Sequence, residues 1–173
     1  MSSPDRPPAD EPATHAEFLE AFGEAGRALS NATIAFHEAI ADRLGLHITD
    51  HKALGILLDR GPLPAGQLAE ILGLTTGAVT ALTDRLERAG YVRRERDPED
   101  RRKVLVAPVR DAARDAEIHS LFEPMTRALA RHLPAYDEEQ RALLLDFIHR
   151  AVAALREATR EVRVGAGADR SGA

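Results

Sequence analysis

The chain has 173 residues, with 23 Lys and Arg against 28 Asp and Glu for a formal net charge of −5, and it has no cysteine. Zero Cys excludes a disulfide scaffold, a Cys-ligated zinc or iron–sulfur site and a thiol redox switch. No run reaches the roughly 18 apolar residues of a membrane helix and the polar start Met1–Arg6 has no signal-peptide core, so the expectation is one ordinary cytoplasmic domain with tails and no membrane partner.

Residues 1–14 contain Pro4, Pro7, Pro8 and Pro12 among small and charged residues. They cannot bury enough surface to order themselves and read as a disordered tail. A helix follows over 15–44, with Phe18, Phe22, Leu29, Phe36, Ile40 and Leu44 on one face and Gly45 as its stop. A second helix is expected over 49–59, with Thr49 as its N-cap and Leu54, Leu57 and Leu58 as its apolar face. Residues 64–72 form a short helix ended by Gly73. Thr75 caps another that runs to Ala89 and stops at Gly90.

Residues 64–90 meet the demands of a helix-turn-helix. The small Ala69 sits where two steeply crossed helices touch, and Gly73 turns the chain. Val79 and Leu82 lock the second helix to a core that Leu68, Leu72 and Leu74 complete. The exposed side of that second helix offers Thr75, Thr76, Thr80 and Thr83, with Arg85 later. Thr hydroxyls bond phosphates or base edges, Thr methyls meet the thymine methyl, and a helix N-terminus attracts phosphate. Gly77 inside the helix costs about 1 kcal/mol against Ala, so a close approach of another backbone, either DNA or a crossing helix, is expected there.

Two runs with alternating Val and charge, Tyr91–Arg96 and Lys103–Ala107, flank the turn formers 97–102 and read as a β-hairpin. Here the total charge misleads. Residues 85–110 hold nine basic residues and five acids, a net +4, while 1–50, 51–84 and 111–173 carry −6, −1 and −2. The basic island falls on the helix-turn-helix and the hairpin, which together make a winged helix. The hairpin supplies Arg94 and Arg96, and its tip Asp100, Arg101, Arg102 and Lys103; Asp100 is placed to orient one of its neighbours. An Arg fits the narrow minor groove, where the potential is most negative.

A helix over 111–133 carries Ile118, Leu121, Phe122, Met125, Leu129 and Leu133, with Pro124 expected to kink or split it. The last helix spans 137–163, and residues 165–173 read as a second disordered tail. The fold class is therefore mainly α with a small β-hairpin wing. Its parts are a dimerisation helix (15–48), a winged helix-turn-helix (49–110) and C-terminal dimerisation helices (111–164). Apolar stripes at both ends of the chain suggest a homodimer.

The stretches 74–94 and 97–106 resemble the MarR family of winged-helix transcriptional regulators. The family's wing signature is Asp-x-Arg, five residues, then Leu-Thr; Asp100 and Arg102 match its first half, while Pro108 and Val109 stand where Leu-Thr is usual. That departure puts the end of the second wing strand in question, not the tip. The resemblance implies that the helix from Thr75 reads the major groove of double-stranded DNA. It also implies that Arg102 enters the minor groove with Asp100 as its structural partner, and that small anionic or phenolic effectors bind between dimer helices and winged domain. His37, Arg43, His47 and His51 border that region and are candidate effector contacts. The spacing of His47 and His51 would suit a metal on one helix, but a helix start between them breaks that geometry, so neither metal nor cofactor is expected. No P-loop, dinucleotide fingerprint, nucleophile elbow or His-Glu-x-x-His appears, so the chain does not read as an enzyme. The alternative is a winged helix that docks protein; three consecutive basic residues at the wing tip favour DNA.

Overall fold

A computed structural model describes residues 14–100 and 102–169, with backbone only for 164–169. The expected tail therefore lies outside the described residues up to residue 13, as do 170–173 and Arg101. The chain divides into two compact units, one ending at Ile118 and one beginning at His119.

The first unit opens with α1 (His15–Arg43). Thr14, the last residue of the expected tail, is its N-cap. The Thr14 hydroxyl accepts from the Glu17 N–H at 3.2 Å, and the Thr14 N–H donates to the Glu17 carboxylate at 3.0 Å. This reciprocal capping box fixes the helix start. Only the last turns of α1 are buried, at Ile40 and Ala41. Helix α2 (Ile48–Arg60) begins one residue before the expected position, because His47 rather than Thr49 caps it. The His47 Nδ1 accepts from the Thr49 N–H at 3.2 Å.

Helices α3 (Ala65–Leu72) and α4 (Thr76–Arg88) form the helix-turn-helix. Gly73 takes a left-handed conformation, φ +72°, which lets both its own N–H and that of Leu74 bond back to the Ala69 carbonyl. Leu68, Ala69, Val79, Leu82 and Leu86 join Leu54, Leu57, Val92 and Val106 in one buried cluster. The expected lock of α4 on α3 is therefore in place.

The sheet has three strands, not the two of a simple hairpin. A two-residue strand, β1 (Leu63–Pro64), pairs antiparallel with β3 (Val104–Pro108), whose other edge pairs with β2 (Val92–Arg96). The second wing strand runs intact through Pro108, which lies opposite Val92. The Val109 N–H bonds to the Tyr91 carbonyl at 2.9 Å, so 108 and 92 form a non-hydrogen-bonded pair. The donor that proline lacks would point to the far side, opposite Gly61, where β1 has not yet begun. That resolves the departure from the family signature at Pro108 and Val109. At the wing base Gly90 (φ +77°) turns the chain, and its carbonyl accepts from Arg114, whose guanidinium stacks 4.8 Å over the Tyr91 ring.

Helix α5 (Ala112–Ala130) is continuous through Pro124, which does not split it; one lost backbone bond is offset by the bonds on either side. It ends before Leu133, because the sequence runs into Pro134 in a 3-10 turn over Leu133–Ala135. Helix α6 (Glu138–Asp169) is capped by a reciprocal pair between Asp137 and Gln140. It continues through 165–169, which the composition places in a tail. Gly165 and Gly167 each cost the helix about 1 kcal/mol against Ala, which is why the composition there does not read as helical. Among the described residues of the second unit none is buried.

Candidate nucleic-acid interface

Helix α4 buries one face, leaving Gly77, Ala81, Asp84 and Arg88 as an exposed stripe with Thr76 and Thr80 beside it. Thr75 is the N-cap: its hydroxyl accepts from the Ala78 N–H at 3.2 Å. The Thr80 hydroxyl donates to the Thr76 carbonyl at 3.0 Å and keeps its acceptor lone pairs. Thr83 does not belong to this face. It is 1% exposed and donates to the Val79 carbonyl, a satisfied core hydroxyl. The 3.6-residue period would have shown this, since 79, 82, 83 and 86 share one side.

A side chain at Gly77 would meet nothing within 4 Å. A crossing helix of this chain is thus not the reason for the glycine. Gly77→Ala should raise stability by about 1 kcal/mol in urea unfolding. The same variant should bind DNA more weakly if the Gly77 backbone approaches a duplex; unchanged binding would make Gly77 a neutral accident.

The basic island separates into two classes of cation. Arg94 is a wing anchor. Its guanidinium bonds Asp84 at 2.5 Å and also Glu87, and its backbone N–H reaches Glu87 at 3.0 Å. This ties β2 to α4 and spends the charge that the sequence assigned to DNA. Arg85 turns away from the exposed stripe. Its Nε and Nη2 grip both oxygens of Asp50 at 2.7 and 2.6 Å. Asp50 is 2% exposed, so this bidentate pair joins α4 to the first turn of α2. The hydrogen bond to Asp50 raises the Arg85 guanidinium above its ordinary value, outweighing partial burial. Asp50 was legible only as a residue near a cap. Its spacing from Leu54 and Leu57 puts it on the buried face, the signal that could have found it.

The second class is at the wing tip. The Asp97 carboxylate accepts from the N–H groups of Glu99 and Asp100 at 2.8 and 3.3 Å. The Asp100 carboxylate accepts from the Arg102 N–H at 3.1 Å and lies 3.7 Å from the Lys103 ammonium. Asp100 thus orients the backbone at Arg102 rather than its side chain. Among the described residues Arg96 and Arg102 enter no ion pair, and both are exposed. Arg88 on the exposed stripe of α4 also enters no ion pair, its Nε donating to the Asp84 carbonyl at 3.2 Å, so the described charges available to a polyanion are Arg88, Arg96 and Arg102, with Lys103 held only at 3.7 Å from Asp100.

Of the four effector candidates, His37 and His51 come together, with His37 Nδ1 3.2 Å from His51 Nε2. His47 is occupied as a cap, and Arg43 is exposed in the last turn of α1. Burial, with His37 as the second cause, lowers the His51 pKa below the ordinary imidazole value. Among the described residues no three His, Asp or Glu side chains are grouped to hold a metal, and no helix is long and apolar enough to cross a membrane.

Residues 46–104 match the model of the MarR family. The uncharacterized HTH-type transcriptional regulator YcgE of Bacillus subtilis (strain 168) is 44% identical over 131 residues, which cover 76% of this chain and 84% of that protein. The chain belongs to the MarR family. A second relative in the same organism, the organic hydroperoxide resistance transcriptional regulator, is 30% identical over 77 residues, 44% of this chain and 52% of that protein. Among solved structures, a MarR family protein from Bacillus stearothermophilus superposes with a TM-score of 0.67 at 22% identity, covering 83% of this chain and 99% of that one. A MarR transcriptional regulator from Methanosarcina mazei gives 0.59 at 18% identity, covering 79% and 98%. These two likenesses show that the MarR winged-helix fold is shared.

Proposed function

We propose that this MarR-family regulator binds double-stranded DNA as a homodimer, with α4 in the major groove and the wing tip in the adjacent minor groove. The observation that carries the reading is the pair of unpaired cations, Arg96 and Arg102, on a braced tip beside the exposed face of α4. Arg94 and Asp100 act in positioning: the first fixes the wing to α4, the second fixes the tip. Thr75, Thr76, Gly77 and Thr80 form the part of α4 that faces the base edges, and a thin side-chain layer lets its backbone come close to the duplex.

Dimerisation is supported by the apolar faces that the single chain leaves open. On α1 these are Phe18, Phe22 and Leu29; on α6 they include Leu144, Ile148 and Leu155. Exposed apolar area of this extent marks an interaction surface. A twofold dimer presents two reading helices, so the operator is a pseudo-palindrome with half-sites about one helical turn, roughly 34–36 Å, apart. In its finer form the reading is a repressor that a small anionic or phenolic effector releases, which the family resemblance supports. The test is selection from a randomised duplex pool with the full-length protein. Enrichment of a pseudo-palindrome is the expected result; a pool that stays random would favour a wing that docks protein.

A further inference from the structure

Asp50, His51 and Thr83 are the buried polar residues among those described, and the first two are consecutive. Each holds a different helix. Asp50 grips Arg85 on α4, and His51 meets His37 on α1. Burying two ionisable groups side by side is costly unless both are partnered, and here each partner lies on another element. The first turn of α2 thus makes polar contacts both to α1, which carries the open apolar face, and to α4. Resting on the DNA-binding reading above, we propose that Asp50 and His51 are positioning residues that tie α4 to α1, and that double protonation of the His37–His51 pair loosens this tie and weakens DNA binding.

The chemistry follows from the 3.2 Å separation. One N–H between the two ring nitrogens makes a hydrogen bond. A first proton goes to the outer nitrogen of the ring that donates, since the accepting ring already carries its hydrogen on the outer side, and it leaves that bond in place. A second proton puts N–H groups on both sides of the contact, with two positive charges on adjoining rings, and the rings must part. His37 is an α1 side chain in contact with His51, and the ionisable chain neighbours of His51 on α2 are Asp50, committed to Arg85 of α4, the exposed Lys52, and His47, turned to Thr49. Because the His51 pKa is lowered, the contact is complete above the ordinary imidazole range and is lost as pH falls through the lowered value.

The experiment uses the full-length protein in two arms. In the first, without DNA, histidine ring NMR signals and amide exchange of α4 are followed from about pH 7.5 to about pH 5.5, the range in which imidazoles titrate. Protection of α4, corrected for intrinsic exchange, should fall as His51 titrates. It should not fall in His51→Gln, whose amide can still bond His37 without charging. In Asp50→Asn, His51 should still titrate while α4 no longer responds. In the second arm, affinity for a duplex selected from a random pool should drop at least about fivefold over the same range at fixed ionic strength. In His51→Gln it should stay within about twofold, below the smallest usual coupling. An equal acid response in the unaltered protein and His51→Gln, or α4 protection that ignores His51, would overturn the proposal. Coupling in the first arm with no duplex bound at any pH would instead overturn the DNA-binding reading.

Discussion

Arg85→Ala is expected to destabilise the protein by about 2–3 kcal/mol, read as a lower urea midpoint at unchanged m-value. The variant leaves the Asp50 carboxylate, whose side chain is 3% exposed, without its two guanidinium bonds. An uncompensated buried charge costs about 3–5 kcal/mol in general. The smaller figure applies because the Arg85 side chain is 45% exposed, so water can enter the space it leaves. Replacing both partners gives the decisive contrast. Asp50→Leu with Arg85→Leu removes the buried charge together with its need, and stability should return to within about 1 kcal/mol of the unaltered protein. If Arg85→Ala unfolds no earlier than the unaltered protein, the pair does not hold α4 to α2.

Placing Arg on the open face of α6, as Ile148→Arg with Leu155→Arg, should abolish the dimer. The two residues are seven apart and share a face; they are 55% and 68% exposed in the single chain. Burying two unpaired guanidinium groups per chain in an apolar interface costs more than the lost contacts return. Sedimentation should then give a mass near 18.8 kDa where the unaltered protein gives twice that. DNA affinity should fall by about 10²–10⁴, because each half-site contact loses the effective concentration its twin supplied. Fluorescence-detected binding to a half-site duplex serves as control and should change little. A dimer that survives both substitutions would move the interface elsewhere.

The two substitutions draw on features that differed in how plainly the sequence displayed them. The α-helical outline was legible because each helix carries its own punctuation. Gly45, Gly73 and Gly90 end helices where expected, and Thr75 caps α4. The helix-turn-helix was legible because Ala69, Val79 and Leu82 must be small or apolar at fixed spacing. The strand β1 was not, since two residues, one of them Pro64, cannot show a period of two. The cap of α2 was missed because a histidine nitrogen took the acceptor role usual for a hydroxyl or carboxylate.

The candidate site was legible in its location and less so in its division of labour. Composition alone gave every cation in 85–110 equal standing. Folding allots Arg94 to Asp84 and Glu87, and Arg85 to Asp50, which is 35 residues away. Such pairings are tertiary and leave no local pattern. The tip residues kept their expected place because their partners are local: Asp97 and Asp100 bond backbone groups within three residues. The surplus of +4 therefore overstates the charge facing a duplex, while Arg88, Arg96 and Arg102, with the loosely paired Lys103, form the described part that remains available.

The central claim is that these few cations, braced beside α4, engage the DNA backbone and minor groove. The measurement that tests it most directly is the affinity for the pool-selected duplex across a salt series, for the unaltered protein and for Arg102→Ala. Counterion release predicts a linear fall of log K with log salt concentration, about 0.9 per neutralised phosphate. Arg102→Ala should weaken binding by about 1–3 kcal/mol at unchanged urea stability. A flat salt series, or an Arg102→Ala variant that binds as tightly as the unaltered protein, would contradict the account.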